Sequence, residues 1–194
     1  MRLRIDAEVF CPELTHTSSL MLSCLKQVAI DPGSRVLDVF TGSGVFAVYL
    51  ASRGCHVVAV DKSVAAVECA SYNAAQNGVG HLVDLRLGDV LSPLGTRETF
   101  DLVIACPPLL PGQPSSQLEE AVLDPELGAT VRFIEGLASH LTPDGSSLIV
   151  LSDVFSRVGH NLADICARCG LRDRIIAHVD AGYETYSVHE LRRA

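Results

Sequence analysis

Asp38, Gly42, Gly44 and Asp61 carry residue types and spacings that can hold a nucleoside-bearing ligand. The run Asp38-Val39-Phe40-Thr41-Gly42-Ser43-Gly44 follows an apolar segment and opens a helical one. Two glycines let the backbone approach a ligand closely, and a helix N-terminus offers free N–H groups to a carboxylate or phosphate. Asp61 ends the segment His56–Asp61, about 20 residues on, where an acid can accept both hydroxyls of a ribose. Lys62 follows it directly.

NAD and S-adenosylmethionine both present such a ribose, and Gly42-x-Gly44-x-x-Ala47 also fits the dinucleotide fingerprint. Three features separate the two. Asp38 stands before the glycines, where it can reach the ammonium of a methionine moiety directly or through water. A pyrophosphate would be repelled there. Gly88-Asp89-Val90 follows the third apolar segment and suits an adenine amino contact. Cys106-Pro107-Pro108-Leu109 forms a stiff corner after the fourth, where two prolines fix the chain and expose carbonyls. The expected cofactor is S-adenosylmethionine, with S-adenosylhomocysteine as product. A nicotinamide oxidoreductase is disfavoured.

The elements that must position these residues alternate along the chain. Strands are expected at 35–40, 55–60, 82–87, 100–105 and 146–151, and helices at 45–53, 63–76, 125–141 and 156–169. Ser63 is the expected cap of the second helix and Asn77-Gly78 its stop. Two last strands, at 172–178 and 184–191, are separated by a short turn at Ala181-Gly182 and must be antiparallel. Near-continuous apolar strands alternating with helices give an α/β class, a doubly wound and mostly parallel seven-stranded sheet with an antiparallel last strand. One domain over 1–194 is expected, with 1–34 as a cap segment and 35–194 as the core. The stretch 107–124, rich in Pro, Gln, Ser and Gly, reads as a binding loop.

Composition narrows the partners. The chain has 194 residues, a net charge of −8 and only two lysines, Lys26 and Lys62. A polyanion binder needs a basic face, so no nucleic-acid partner is expected. No apolar run approaches the roughly 20 residues of a membrane span, and no signal pattern opens the chain. The seven cysteines are scattered and odd in number, which fits reduced thiols in the cytoplasm. Cys166 and Cys169 sit at a helix end rather than a helix start and read as structural. No Cys/His spacing supports a metal site.

VLDVFTGSG (36–44), VVAVDKS (57–63), GDV (88–90) and ACPPLLPG (105–112) together resemble the HemK-like branch of the methyltransferase small domain family. Val9-Phe10-Cys11-Pro12 through Thr17 and Leu20 is similar to its entry segment, and Gly182–Val188 to its last hairpin. The resemblance implies a Rossmann-like methyltransferase fold. It places Thr17, Asp38, Gly42 and Gly44 around the methionine portion of the cofactor, Asp61 on the ribose and Asp89 on the adenine. Thr41, Lys62, Val90 and Cys106 complete that set, and Cys106, Pro107, Pro108 and Leu109 face the acceptor.

The family has Asn or Asp where this chain has Cys106, and an aromatic where it has Leu109. A thiol is a weak donor and acceptor, so a different acceptor, or a different way of holding one, is expected. Cys106 reads better as a small residue shaping the pocket than as a nucleophile. His16 ranks first as a base, ahead of Asp153, Tyr183 and Tyr186. The leading expectation is N-methylation of an amide- or guanidine-type nitrogen on a protein glutamine or a small molecule. The alternative is a non-catalytic cofactor-binding subunit.

Overall fold

The computed structural model describes residues 1–11 and 16–194. Pro12, at the entry segment, lies outside the described residues. The elements run α1 (His16–Gln27), β1 (Arg35–Val39), α2 (Val45–Ala51), β2 (His56–Asp61), α3 (Val64–Gln76), β3 (Val83–Leu87), β4 (Phe100–Ala105), β5 (Leu110–Pro111), α4 (Gln117–Glu120), β6 (Leu123–Asp124), α5 (Gly128–Leu137), β7 (Leu141–Ser152), α6 (Val154–Arg157), α7 (Leu162–Arg168), β8 (Leu171–Asp180) and β9 (Thr185–Arg193).

Seven strands form one sheet in the order β3-β2-β1-β4-β7-β9-β8. The pairs from β3 to β7 are parallel, and β9 is antiparallel to both β7 and β8. The hairpin argument therefore holds, and β9 is the reversed strand. Side chains alternate across the sheet. Val36, Val57, Ile104 and Val188 face a core built with α1 and α2. Leu37, Val58, Val103 and Leu191 face the opposite core, built with α5 and α7. Ligands of such sheets bind where the strand order reverses, beyond the strands' carboxyl ends. Here that point lies between β1 and β4, where Asp38 and Cys106 meet.

Two helix expectations are corrected. The helix expected over 125–141 is α only from Gly128 to Leu137. Pro125–Leu127 forms a separate tight turn with Glu126 at φ 55° and Leu127 at φ 54°. Asp124 closes it by accepting the Ala129 N–H at 2.7 Å. Leu141 instead opens β7, where it pairs with Phe100. The helix expected over 156–169 divides at Gly159 (φ 97°), and Asn161 caps α7 through the Asp164 N–H. Residues 16–27, read only as cap, form α1, which buries Met21, Cys24 and Leu25 on one stripe. The expected loop 107–124 holds the short β5–β6 pair and α4, capped by Ser116.

Candidate active site

β1 delivers Asp38 to the centre of the sheet, paired with Ala59 on one side and Ile104 on the other. Its carboxylate is fully buried. Oδ2 accepts the Thr41 hydroxyl at 2.7 Å and the Ala47 N–H at 3.1 Å. Oδ1 has no hydrogen-bond partner among the described residues. Burial pushes the Asp38 pKa up to about 7, against the pull of Thr41 and Ala47. The loop then turns through Phe40 at φ 63°, Gly42 at φ 53° and Gly44 at φ 76°. A β-carbon on Gly44 would lie 2.9 Å from the Ala70 Cβ, so glycine is required for α3 to pack there. A β-carbon on Gly42 would meet nothing within 4 Å, so that position opens outward.

β2 delivers Asp61. Oδ2 accepts the Gly42 N–H at 2.9 Å and Oδ1 the Ser63 N–H at 3.0 Å, which fixes the carboxylate against the glycine loop. Burial raises its pKa, and these two N–H groups oppose the rise. Ser63 caps α3 by accepting the Ala66 N–H.

A cleft opens over this floor. Gly42, Asp61, Lys62, Asp89, Val90, Cys106 and Pro108 all line it. Asp38, Thr41 and Gly44 do not; Asp38 and Thr41 are buried. Both cations on its wall are already paired, Lys62 with Glu120 at 2.9 Å and Arg132 with Asp89 at 2.8 Å. Glu8, Asp61 and Asp124 add further carboxylates. Such a wall favours a cationic ligand over a pyrophosphate. Glu8, Val9, Phe10 and Phe40 also line the cleft, and sequence reasoning missed them. Phe40 had a signal only in retrospect, since positive φ is rare for a bulky residue and marks strained, ligand-facing turns. Val90 has the same signature at φ 53°.

A second cavity shares Phe10, Cys106 and Ala121 with the first. His16, Thr17, Pro107 and Leu109 line it, with Tyr183, Glu184 and Tyr186 from the last hairpin. Thr17 thus faces this second cavity and hydrogen-bonds the Cys106 thiol. Burial and the nearby Asp38 carboxylate push the Cys106 pKa up to about 12, against the Thr17 hydrogen bond. The thiol stays protonated at neutral pH and is a poor nucleophile. His16 is exposed, with its ring 6.4 Å from that of Tyr186. Asp153 lies elsewhere, paired with Arg157 at 2.8 Å and holding the Thr185 N–H. No group of three or more His, Cys, Asp or Glu side chains among the described residues is arranged to hold a metal.

The family model for the methyltransferase small domain matches residues 1–169. The chain belongs to that family. This methyltransferase small domain is 35% identical over 162 residues to a release factor glutamine methyltransferase of Gloeobacter violaceus, covering 74% of the chain and 55% of that protein. It is 29% identical over 194 residues to the release factor glutamine methyltransferase of Rhodopirellula baltica, covering 94% of the chain and 62% of that protein. The chain therefore spans a little over half the length of these relatives. Its fold matches the ribosomal protein L11 methylase of Lactobacillus delbrueckii subsp. bulgaricus with a TM-score of 0.71 at 22% identity, covering 98% of the chain and 86% of that structure.

S-adenosylmethionine is the cofactor of this family, and the residues present fit it. Asp38 Oδ1 is a buried acceptor lacking a donor, which suits a ligand bearing an ammonium. Asp61 is an acid at the end of β2, and Gly42 leaves open space beside it.

Proposed function

We propose that this chain catalyses methyl transfer from S-adenosylmethionine to a nitrogen of amide or guanidine type, on a protein glutamine or a small molecule. The observation that carries the reading is the meeting of two cavities at Cys106, with Pro108 on the cofactor side and Pro107 and Leu109 on the other. A methyl donor in the first cavity and an acceptor in the second would meet at that corner. The names of the relatives, glutamine methyltransferases both, support an amide acceptor.

The cofactor, when bound, supplies a methyl group activated by a positive sulfonium. The rest falls to this chain. Asp61 and Asp89 would fix the nucleoside, and Asp38 would favour the ammonium from beneath. Pro107 and Pro108 hold the corner rigid and would fix where an acceptor nitrogen can approach the donor. Positioning of this kind can supply several kcal/mol of the barrier. The acceptor nitrogen would have to give up a proton on taking the methyl group. His16, at the mouth of the second cavity, is the proposed base. Cys106 shapes the corner as a neutral thiol.

A non-catalytic cofactor-binding subunit is the second reading, favoured by Cys106 and Leu109 at the acceptor wall. Titration calorimetry with S-adenosylmethionine, S-adenosylhomocysteine and NAD tests the cofactor, with Asp61→Ala as control. Binding of the first two, lost in the variant, is expected; binding of NAD alone would sink the reading. Label transfer from the methyl group to glutamine peptides, arginine derivatives and amines then separates enzyme from subunit. The seven free cysteines fit a cytoplasmic setting, and no helix among the described residues is long and apolar enough to cross a membrane.

A further inference from the structure

The second cavity holds a group that the proposed chemistry has not used. Glu184 lines it, and its Oε2 atom is buried with no hydrogen-bond partner among the described residues. Leaving a buried polar atom unpaired costs about 1–3 kcal/mol, and more for a charged one. No lysine or arginine lies among the described lining residues to compensate it. The described lining includes four rings, those of Phe10, His16, Tyr183 and Tyr186, together with Thr17 and Ser18. The Tyr186 phenol interacts with both Tyr183 and Glu184, and burial together with these contacts raises its pKa. It therefore stays a neutral phenol beside the carboxylate. Cys106, which also lines this cavity, offers only a thiol. Glu184 is thus the one carboxylate among the described lining residues, in a cavity whose lining also carries four aromatic rings. A carboxylate in a cavity partly lined by aromatic rings suits a cation that also donates N–H bonds.

We propose that Glu184 is the residue that recognises the methyl acceptor, and that the group it receives is a cationic nitrogen of guanidinium type. The proposal rests on the reading of the chain as an N-methyltransferase and narrows its acceptor. A guanidinium gives Glu184 two N–H donors and a compensating charge while its faces pack against the tyrosines. A neutral carboxamide gives the donors without the charge. Glu184 then supplies a polar contact to the acceptor that a thiol at 106 does not.

The test is calorimetric titration of the protein saturated with S-adenosylhomocysteine, using N-acetyl-arginine amide and N-acetyl-glutamine amide as probes. The arginine probe is expected to bind more tightly. Glu184→Gln should weaken it at least tenfold, and Glu184→Asp should recover part of the loss. Affinity for S-adenosylhomocysteine should stay within twofold in both variants, which shows that the fold is intact. Equal affinity of wild type and Glu184→Gln for the arginine probe would overturn the proposal, as would tighter binding of the glutamine probe. Failure of S-adenosylhomocysteine to bind at all would strike the cofactor reading instead. The same arginine titration on unloaded protein would still read the contribution of Glu184.

Discussion

The Asn73 side chain donates to the Ser43 carbonyl at 2.9 Å, so α3 holds the glycine loop from 30 residues away. The same amide nitrogen donates to the Arg4 carbonyl at 2.8 Å, and its oxygen accepts the Arg4 N–H at 2.8 Å. One fully buried amide thus pins both the floor of the cofactor cleft and the strand of chain leading to Glu8, Val9 and Phe10 on its wall. Asn73→Leu should lower stability by about 2–4 kcal/mol, since it strands buried backbone groups. Urea denaturation would read the loss, and cofactor affinity should fall with it. A change below about 0.5 kcal/mol would show that the amide is not the pin.

Asp38 makes the protein sensitive to pH in an unusual direction. Its folded pKa, about 7, lies above the ordinary 3.8. Between these values the folded state binds the proton and the unfolded state does not, so stability falls as pH rises. The contribution is fully present below pH 4 and lost by about pH 7. Denaturation of wild type and Asp38→Asn from pH 4 to 8 should show this slope in the first and a shallower one, left by Asp61, in the second. Cofactor affinity should move the opposite way. An ammonium favours the carboxylate form, so binding should tighten as pH rises through 7 in wild type and stay flat in the variant.

Gly42 and Gly44 separate backbone strain from space. Both have positive φ, which costs a residue with a side chain about 1–2 kcal/mol. Only Gly44 also meets a neighbour, Ala70. Gly44→Ala should therefore destabilise clearly more than Gly42→Ala in thermal melts. Gly42→Ala should instead act on cofactor affinity, because its β-carbon points into open space beside Asp61. Equal melting temperatures would contradict this division.

Cys106 should behave as a wall and not as a reagent. With its pKa near 12, its thiolate at pH 8 is scarce, and alkylation should run at least about a hundredfold slower than for an ordinary exposed cysteine. Mass spectrometry after iodoacetamide treatment would show it. Cys106→Ala should keep turnover within about tenfold. Complete loss of turnover with cofactor binding intact would revive the nucleophilic role.

How far the sequence could be read depended on range. The bounds of β4 stand in it because Phe-Asp-Leu-Val-Ile-Ala is apolar enough to be a buried strand wherever it falls. The Ser63 cap is local chemistry, as is the spacing from Gly42 to Asp61. Leu141 was misread as helix because its fate is settled by pairing with Phe100, some forty residues earlier. α1 escaped notice because His-Thr-Ser-Ser has weak helix propensity, although Met21, Cys24 and Leu25 carry the i, i+3, i+4 pattern that could have revealed it. Phe10 and Glu184 come from opposite ends of the chain and share a cavity only through the fold.

The order of strands also sets a timetable. β8 leaves the ribosome before β9, yet it reaches the sheet only through β9, which lies between it and β7. Until the last nine-residue strand is made, β8 has no seat, and Tyr186 is not yet in place to close the second cavity. The cofactor floor, built from β1, β2 and β4, can form much earlier. During synthesis the chain should thus gain a place for its methyl donor first, and a wall against which to hold an acceptor only once β9 has emerged.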